Sequence, residues 1–364
     1  MSDPRKISRP RTVNQILIDR SIRHGIYLVR LAGGEANWTD SQMASVRRAV
    51  TKTITPLLSE LNEGGVISAA DEALMNEAAT RGSEAVTELL ERLSGESLKR
   101  LGKIAIAEAD FEKRLLSKAF PIEMNFNTPS DRFLMSLMET EPIAGKSMRQ
   151  WFSDMKIQTR TAINDQIRQG MIEGESINEI LRRVRGRREN GFKDGIIGRV
   201  GENAKSIVRS GVMRASNRAR NAFHMDNIEV VKGFQWILTL DDRTCSICVD
   251  AESQNPYLPS NYPEAPAHIG CRCVVAVITP SWEELGYDFD ELEPGMRASM
   301  NGEVPDTMTY QQWFEGQSAE TQMDILGQSR YDAFKNGADI TSFADRGQIL
   351  TLEQLRAMEP DLFS

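Results

Sequence analysis

All four cysteines of this 364-residue chain fall within residues 245–273, together with His268, one of only three histidines. They stand in two knuckles, Cys245-Ser246-Ile247-Cys248 and His268-Ile269-Gly270-Cys271-Arg272-Cys273, separated by nineteen residues. Thiolates and imidazole are soft donors. Two from the first knuckle and two or three from the second are enough for a tetrahedral zinc ion, which such ligands favour over magnesium or calcium. Five candidates compete for four positions: Cys245, Cys248, His268 and Cys271 form the favoured set, and Cys273 either replaces one of them or packs as the first residue of a strand. The loop between the knuckles carries Pro256, Pro259, Pro263 and Pro266 and little apolar content. A metal clip closing it would therefore give large local stabilisation. An ion ligated on all sides is structural and keeps no open position for catalysis. Reduced buried cysteines or a redox Cys-x-x-Cys pair are the competing readings, and neither accounts for the histidine in the cluster.

The charge is unevenly spread. The net charge is −8, but residues 176–220 hold twelve basic and four acidic residues, whereas residues 281–364 hold five basic and seventeen acidic ones. A basic island therefore precedes an acidic tail. Arg182, Arg183, Arg185, Arg187 and Arg188 are the candidates for contact with nucleic acid or with an acidic partner. Apart from Phe192 the island lacks interleaved aromatic residues for base stacking, so any DNA binding should be independent of sequence. A solvated helix face is the alternative. No run of 18 apolar residues occurs, and residues 1–12 lack the apolar stretch of an export signal. The expectation is a soluble chain without membrane contact.

Apolar spacing predicts helix from Val13 to about Lys118, and the proline-punctuated stretch Phe120 to Ser147 reads as a connection. Four regions follow: a helical amino-terminal region (1–120), a linker (121–147), a central domain (148–280) and an acidic carboxy-terminal region (281–364). Ser176-Ile177-Asn178-Glu179 has the form of a capping box opening a helix over 177–184. The glycine-punctuated segment 186–198 reads as an exposed, mobile loop. One long helix is expected from Arg199 to about Asp226, with Val200, Ala204, Ile207, Val208, Gly211, Ala215 and Ala219 on its inner side. Arg199, Lys205, Arg209 and Arg220 are expected to project outward, while Arg218 falls within the stripe and needs a partner. Alternation from Phe234 to Leu240 predicts one strand, and Cys273 to Ile278 a second. Amphipathic helices are expected near 310–314, 319–335 and 352–358. The fold class is α+β and mainly helical, with a small antiparallel sheet flanking the zinc-knuckle excursion in the central domain.

Gly145-Lys146-Ser147 does not make a phosphate-binding loop, because Thr140 stands where the first glycine is needed. A nuclease of the kind that pairs zinc knuckles with a catalytic histidine is disfavoured, since His268 is taken by the metal and no second histidine lies near it.

The runs Ala215-Ser216-Asn217-Arg218-Ala219-Arg220, Phe234-Gln235-Trp236, Asp241-Asp242-Arg243-Thr244-Cys245-Ser246-Ile247-Cys248 and Pro266-Ala267-His268-Ile269-Gly270-Cys271-Arg272-Cys273 resemble the Mu F-like phage minor head protein family. Pro142 to Ser147 and Gly170 to Ile177 upstream, and Tyr310 to Phe314 and Ile325 to Gly327 downstream, resemble the same family. The resemblance spans about residues 140–355. It implies a structural component of the virion, inside the capsid and made in the host cytoplasm, acting with the portal or other capsid proteins in head assembly or in handling packaged DNA. It implies no enzyme. Some relatives have been compared with ADP-ribosyltransferases, so a transferase using Arg209 and Ser210, or a phage-borne nuclease, is the alternative. Family members often carry Arg-Thr-Glu where this chain has Arg209-Ser210-Gly211, and the missing acidic residue weakens the transferase reading.

Overall fold

The computed structural model describes residues 13–61, 68–120, 123–281, 284, 296–305, 307–345 and 348–363. Residues 1–12, the first two residues of the expected linker and much of the acidic stretch over 282–295 lie outside the described residues.

Two long helices, α1 (Val13–Leu58) and α2 (Ala69–Ala119), make up most of the amino-terminal region. The buried residues Leu28, Ala32, Ala36, Met43, Val46, Val50, Ile54 and Leu58 recur along α1 at steps of three, four or seven, which lays one stripe along the helix. Val86, Leu90, Leu93, Leu101 and Ile104, at steps of three, four and eight, do the same for α2. The expected connection contains a further helix, α3 (Asp131–Thr140), which the prolines around it obscured in the sequence. The Ser130 hydroxyl caps it by accepting the Phe133 N–H.

Next come α4 (Met148–Ile172) and α5 (Ile177–Arg185). The Glu179 carboxylate receives both the Ser176 N–H and the Ser176 hydroxyl, at 2.9 and 2.8 Å, so the capping residues act at the expected place. The basic loop after α5 is exposed but compact. Phe192 N donates to the Arg187 carbonyl at 2.8 Å and Arg187 N to Asp194 Oδ1 at 2.8 Å. A Cβ on Gly198 would sit 2.0 Å from the Phe192 carbonyl oxygen. Gly186, Gly195 and Gly198 thus mark close backbone approach, whereas the sequence pattern suggested slack.

Helix α6 (Ile196–Met225) follows the expected span within a few residues. Strand β1 (Gly233–Ile237) pairs antiparallel with β2 (Val274–Ile278), with Trp236 opposite Val275. The excursion between them carries α7 (Ser246–Ser253). The remaining elements are small: β3 (Met296–Ser299), β4 (Gly302–Pro305), α8 (Tyr310–Glu315), α9 (Ala319–Leu326), α10 (Gln328–Lys335), β5 (Ala344–Asp345), β6 (Gln348–Ile349) and α11 (Leu352–Met358). Gly327, at φ +72°, divides the helix expected over 319–335 into α9 and α10. The class is α+β, mainly helical, with two-stranded antiparallel sheets.

The chain forms two compact units. One comprises Arg30–Ile106 and Ser130–Ser216. In it the Gly211 backbone comes close to Leu101 and Met148, where a Cβ would meet each at 2.9 Å, and Arg214 donates to Glu141 at 3.0 Å. The other comprises the residues up to Val29, Ala107–Pro129 and the chain from Asn217 onward. Its first core gathers Leu17, Leu116, Phe126, Phe223 and Phe234, and its second joins Trp236, Leu240, Cys248 and Cys271 to Tyr310, Trp313, Phe314 and Phe343. The carboxy-terminal helices therefore pack directly on the cysteine-bearing excursion.

Candidate metal centre

The first knuckle sits at the start of α7, with Cys245 at the N-cap and Cys248 in the first turn. The second leads into β2, so β1, α7 and β2 together fix the spacing of the donors. Cys245 Sγ lies 3.6 Å from Cys248 Sγ and 3.1 Å from His268 Nε2. Cys248 Sγ lies 3.4 Å from His268 Nε2 and 3.8 Å from Cys271 Sγ. These are not disulfide distances, and all four cysteines are free thiols. With zinc–sulfur bonds near 2.3 Å, the edge of a tetrahedral site is about 3.8 Å. Cys245, Cys248 and His268 form one group of donors within 4.8 Å of one another, and Cys248, Cys271 and Cys273 form a second. Cys248 belongs to both. The five residues singled out by spacing are thus brought together, in a cluster able to hold a metal ion.

The ring of His268 is oriented for ligation. Its Nδ1 lies 2.9 Å from the Ile269 carbonyl oxygen, a contact that holds the ring with Nε2 facing the sulfurs. Without metal the cluster shares protons unevenly. The Cys248 thiol, despite opposition from burial and with help from His268, holds Cys245 down to about 4. The Cys245 and Cys271 sulfurs push His268 up to about 11. Cys271 lies well below the ordinary thiol range because Cys248, Cys273 and His268 stabilise its thiolate. Cys248 is instead pushed well above the ordinary thiol range by Cys245 and Cys271, so metal binding, which requires thiolates, would release its proton.

An ion pair braces the two knuckles. Arg272, between Cys271 and Cys273, donates to both oxygens of Asp241 at 2.6 and 2.8 Å. Burial acts to raise the Asp241 carboxyl, but Arg272 holds it below the usual carboxylate range. Tyr310 of α8 donates its hydroxyl to the Asp241 carbonyl at 3.2 Å and its N–H to Glu252 of α7 at 2.7 Å. The intervening loop has its own supports as well. Asn255 pairs with both backbone groups of Trp236 at 2.7 and 2.8 Å, and Tyr257 exchanges two 2.8 Å backbone bonds with Phe234. Its polar composition hid these contacts, and the sequence offered Asp241 and Arg272 only as positions beside the knuckles.

The basic residues divide into paired and unpaired ones. Arg183 binds Glu175 and Glu173, and Arg187 lies 3.9 Å from Asp194. Arg182 and Arg188 are exposed and Arg185 is half-buried. Arg218 meets Glu264 at 2.7 Å, which supplies the partner its position in the stripe required. Arg220 corrects the sequence reading: it was expected outside, yet it is 2% exposed and donates its Nε–H to Glu112, which is fully buried. His224 Nε2 stands 3.3 Å from the other Glu112 oxygen. Nothing local in the sequence signals a partner more than 100 residues away.

With this geometry in place, residues 161–276 match the family model described as Phage Mu protein F like protein. Over these residues, about a third of the chain, it is similar to the Phage Mu F-like proteins. The match contains α5, α6, β1 and all five cluster residues, and it ends within β2, three residues beyond Cys273. It bears out the resemblance drawn from the motifs of residues 215–273. No curated protein and no solved structure matches the chain.

Proposed function

We propose that this chain is a minor structural protein of a tailed-phage head, acting in head morphogenesis beside the portal or another capsid protein. The observation that carries the reading is the Phage Mu F-like match, which covers the whole Cys/His cluster. In this reading the cluster holds one structural zinc through Cys245, Cys248, His268 and Cys271. Cys273, buried behind Cys248 and Cys271, is the first residue packed toward β2. The soft donors, the contacts of 3.1 to 3.8 Å that link Cys245, Cys248, His268 and Cys271, and the imidazole held with Nε2 toward the sulfurs support zinc. Among the described residues no helix is long and apolar enough to cross a membrane. The transferase alternative finds little support at Ser210, which is fully buried and donates its hydroxyl to the Ser206 carbonyl at 2.9 Å.

The test is mass spectrometry and imaging of purified heads made with and without the protein. The expected result is a few copies per wild-type head and defective heads in its absence. Full-sized, infectious heads lacking the protein would overturn the reading.

Contact with packaged DNA belongs to the same proposal, through Arg182, Arg183, Arg185, Arg187 and Arg188. Arg183 is committed to Glu175 and Glu173, so the informative variant is Arg182→Glu with Arg187→Glu and Arg188→Glu. It is expected to weaken binding to all duplexes alike and to lower the salt slope by about 0.9 for each lost phosphate contact. A filter-binding affinity that is unchanged by these substitutions, or that does not fall between about 50 and 200 mM salt, would remove DNA from the reading.

A further inference from the structure

The unit formed by Arg30–Ile106 and Ser130–Ser216 carries a groove of about 720 Å³ that shares only Arg185 with the basic string. Arg47, Arg48 and Lys52 of α1 line it, with Arg185 from the end of α5 and Phe192 from the loop that follows. None of these four cations has a carboxylate within 4 Å among the described residues. The contrast with their neighbours is sharp, because Arg183, Arg187, Lys205 and Arg214 are all ion-paired. The Arg185 Nε is buried without a hydrogen-bond partner.

The groove is not only a set of charges. Phe192 has φ +63°, an uncommon conformation for a bulky residue, and its ring lies under the Arg47 guanidinium at 4.0 Å. The close-packed glycines of its loop hold the backbone there. Pro56 and the hydrocarbon stems of the cations complete an apolar floor beneath a cationic rim. A phosphate backbone would use the rim and leave the aromatic platform without a role. A polypeptide bearing both carboxylates and large apolar side chains would use both.

The chain itself contains such a polypeptide. Residues 281–295 hold six acidic residues, no basic ones, and Trp282, Tyr287 and Phe289 among them. We propose that the groove is a docking site for this acidic, aromatic-bearing stretch of a second copy of the chain. The inference uses charge and shape alone and stands apart from the capsid reading. Each copy offers one groove and one acidic stretch, so the contact is head-to-tail and forms rings or open chains.

The experiment uses the full chain and a fluorescein-labelled peptide of residues 281–295, followed by anisotropy at about 50 and 200 mM salt. The peptide is expected to bind and to weaken as salt rises. Arg48→Glu with Lys52→Glu, both at exposed positions, is expected to lower its affinity at least about tenfold. Phe192→Asn removes the platform with a residue that tolerates positive φ, and is expected to lower peptide affinity several-fold without affecting duplex DNA. In sedimentation velocity the wild type is expected to self-associate. The groove variant, and a chain with Glu283, Asp288, Asp290 and Glu291 changed to amides, should each remain monomeric, while their mixture recovers a one-to-one pair; Glu284 is left intact because Lys232 of the same chain binds it at 2.7 Å. Should the groove variant fold poorly, the Phe192 and amide variants still decide. Undiminished peptide binding by either groove variant overturns the proposal, as does a wild type that is monomeric at about 50 mM salt. Duplex DNA held by Arg48 and Lys52 and not displaced by the peptide would instead identify a phosphate site.

Discussion

Replacing Glu112 by glutamine is expected to lower the unfolding free energy by about 3–5 kcal/mol, measured by urea denaturation at pH 7, because it leaves a buried guanidinium without its counter-charge. Glu112 is fully buried, Arg220 is 2% exposed and His224 is 2% exposed. Arg220 also donates to Ser21 at 3.2 Å, which ties α6 to α1 as well as to α2. Burial acts to raise the Glu112 carboxyl, but Arg220 and His224 outweigh it and hold the group down to about 2. An unfolded glutamate titrates near 4.3. The folded value is the lower one, so this carboxylate stabilises the protein above about pH 4.3, and the contribution is lost as pH falls through about 2. The wild type should therefore show a urea midpoint that declines from about pH 4.5 downward, and Glu112→Gln should lack that part of the decline. Substituting both partners, Glu112→Leu with Arg220→Met, is expected to recover most of the loss, since no unpaired charge then remains. A single variant within about 0.5 kcal/mol of wild type would mean that water reaches Arg220 and the pair is not structurally important.

What the sequence disclosed follows from the range of each interaction. The two knuckles, the capping box at Ser176 and the apolar stripe of α6 are local patterns, and the structure places each within a residue or a few of its expected position. Phe234 to Leu240 alternates throughout, but the ladder ends at Ile237 and the chain turns toward the cysteine cluster with Leu238 and Leu240 still buried. Arg220 was misplaced because the moment of the helix counts apolar residues, and a cation on its inner side has no local mark. Its position is set by Glu112, 108 residues earlier in the chain. The same limit hid Arg47, Arg48 and Lys52, which look like an ordinary solvated helix face until Arg185 and Phe192 are placed opposite them. Asp241 and Arg272 stood in plain view inside the motif. Spacing rules for metal ligands say nothing about the ion pair that holds two knuckles together.

Removing the metal should change the protein more than any single substitution in the helices. The protein purified without added metal is expected to carry one equivalent of zinc by elemental analysis, and Cys248→Ser to carry less than about a tenth. Cys248 is the sensitive position because its sulfur lies within reach of Cys245, His268, Cys271 and Cys273, so its loss divides the donors into two sets too small for the ion. Structural zinc sites in small peptides contribute on the order of 10 kcal/mol at neutral pH. The peptide value is an upper bound here, because the Asp241–Arg272 pair and the Asn255 and Tyr257 contacts support the excursion without metal. The expected result is a chelator-treated protein whose amide protection is lost across 241–273 and in α8, which docks there through Tyr310, while α2 and α4 keep theirs. Cys273→Ser separates the two roles open to the fifth donor: zinc retained in full means that Cys273 only packs against β2, and zinc lost means that it ligates. Four thiols titrating freely in the native protein, with no zinc bound, would show that the cluster is a set of reduced buried cysteines.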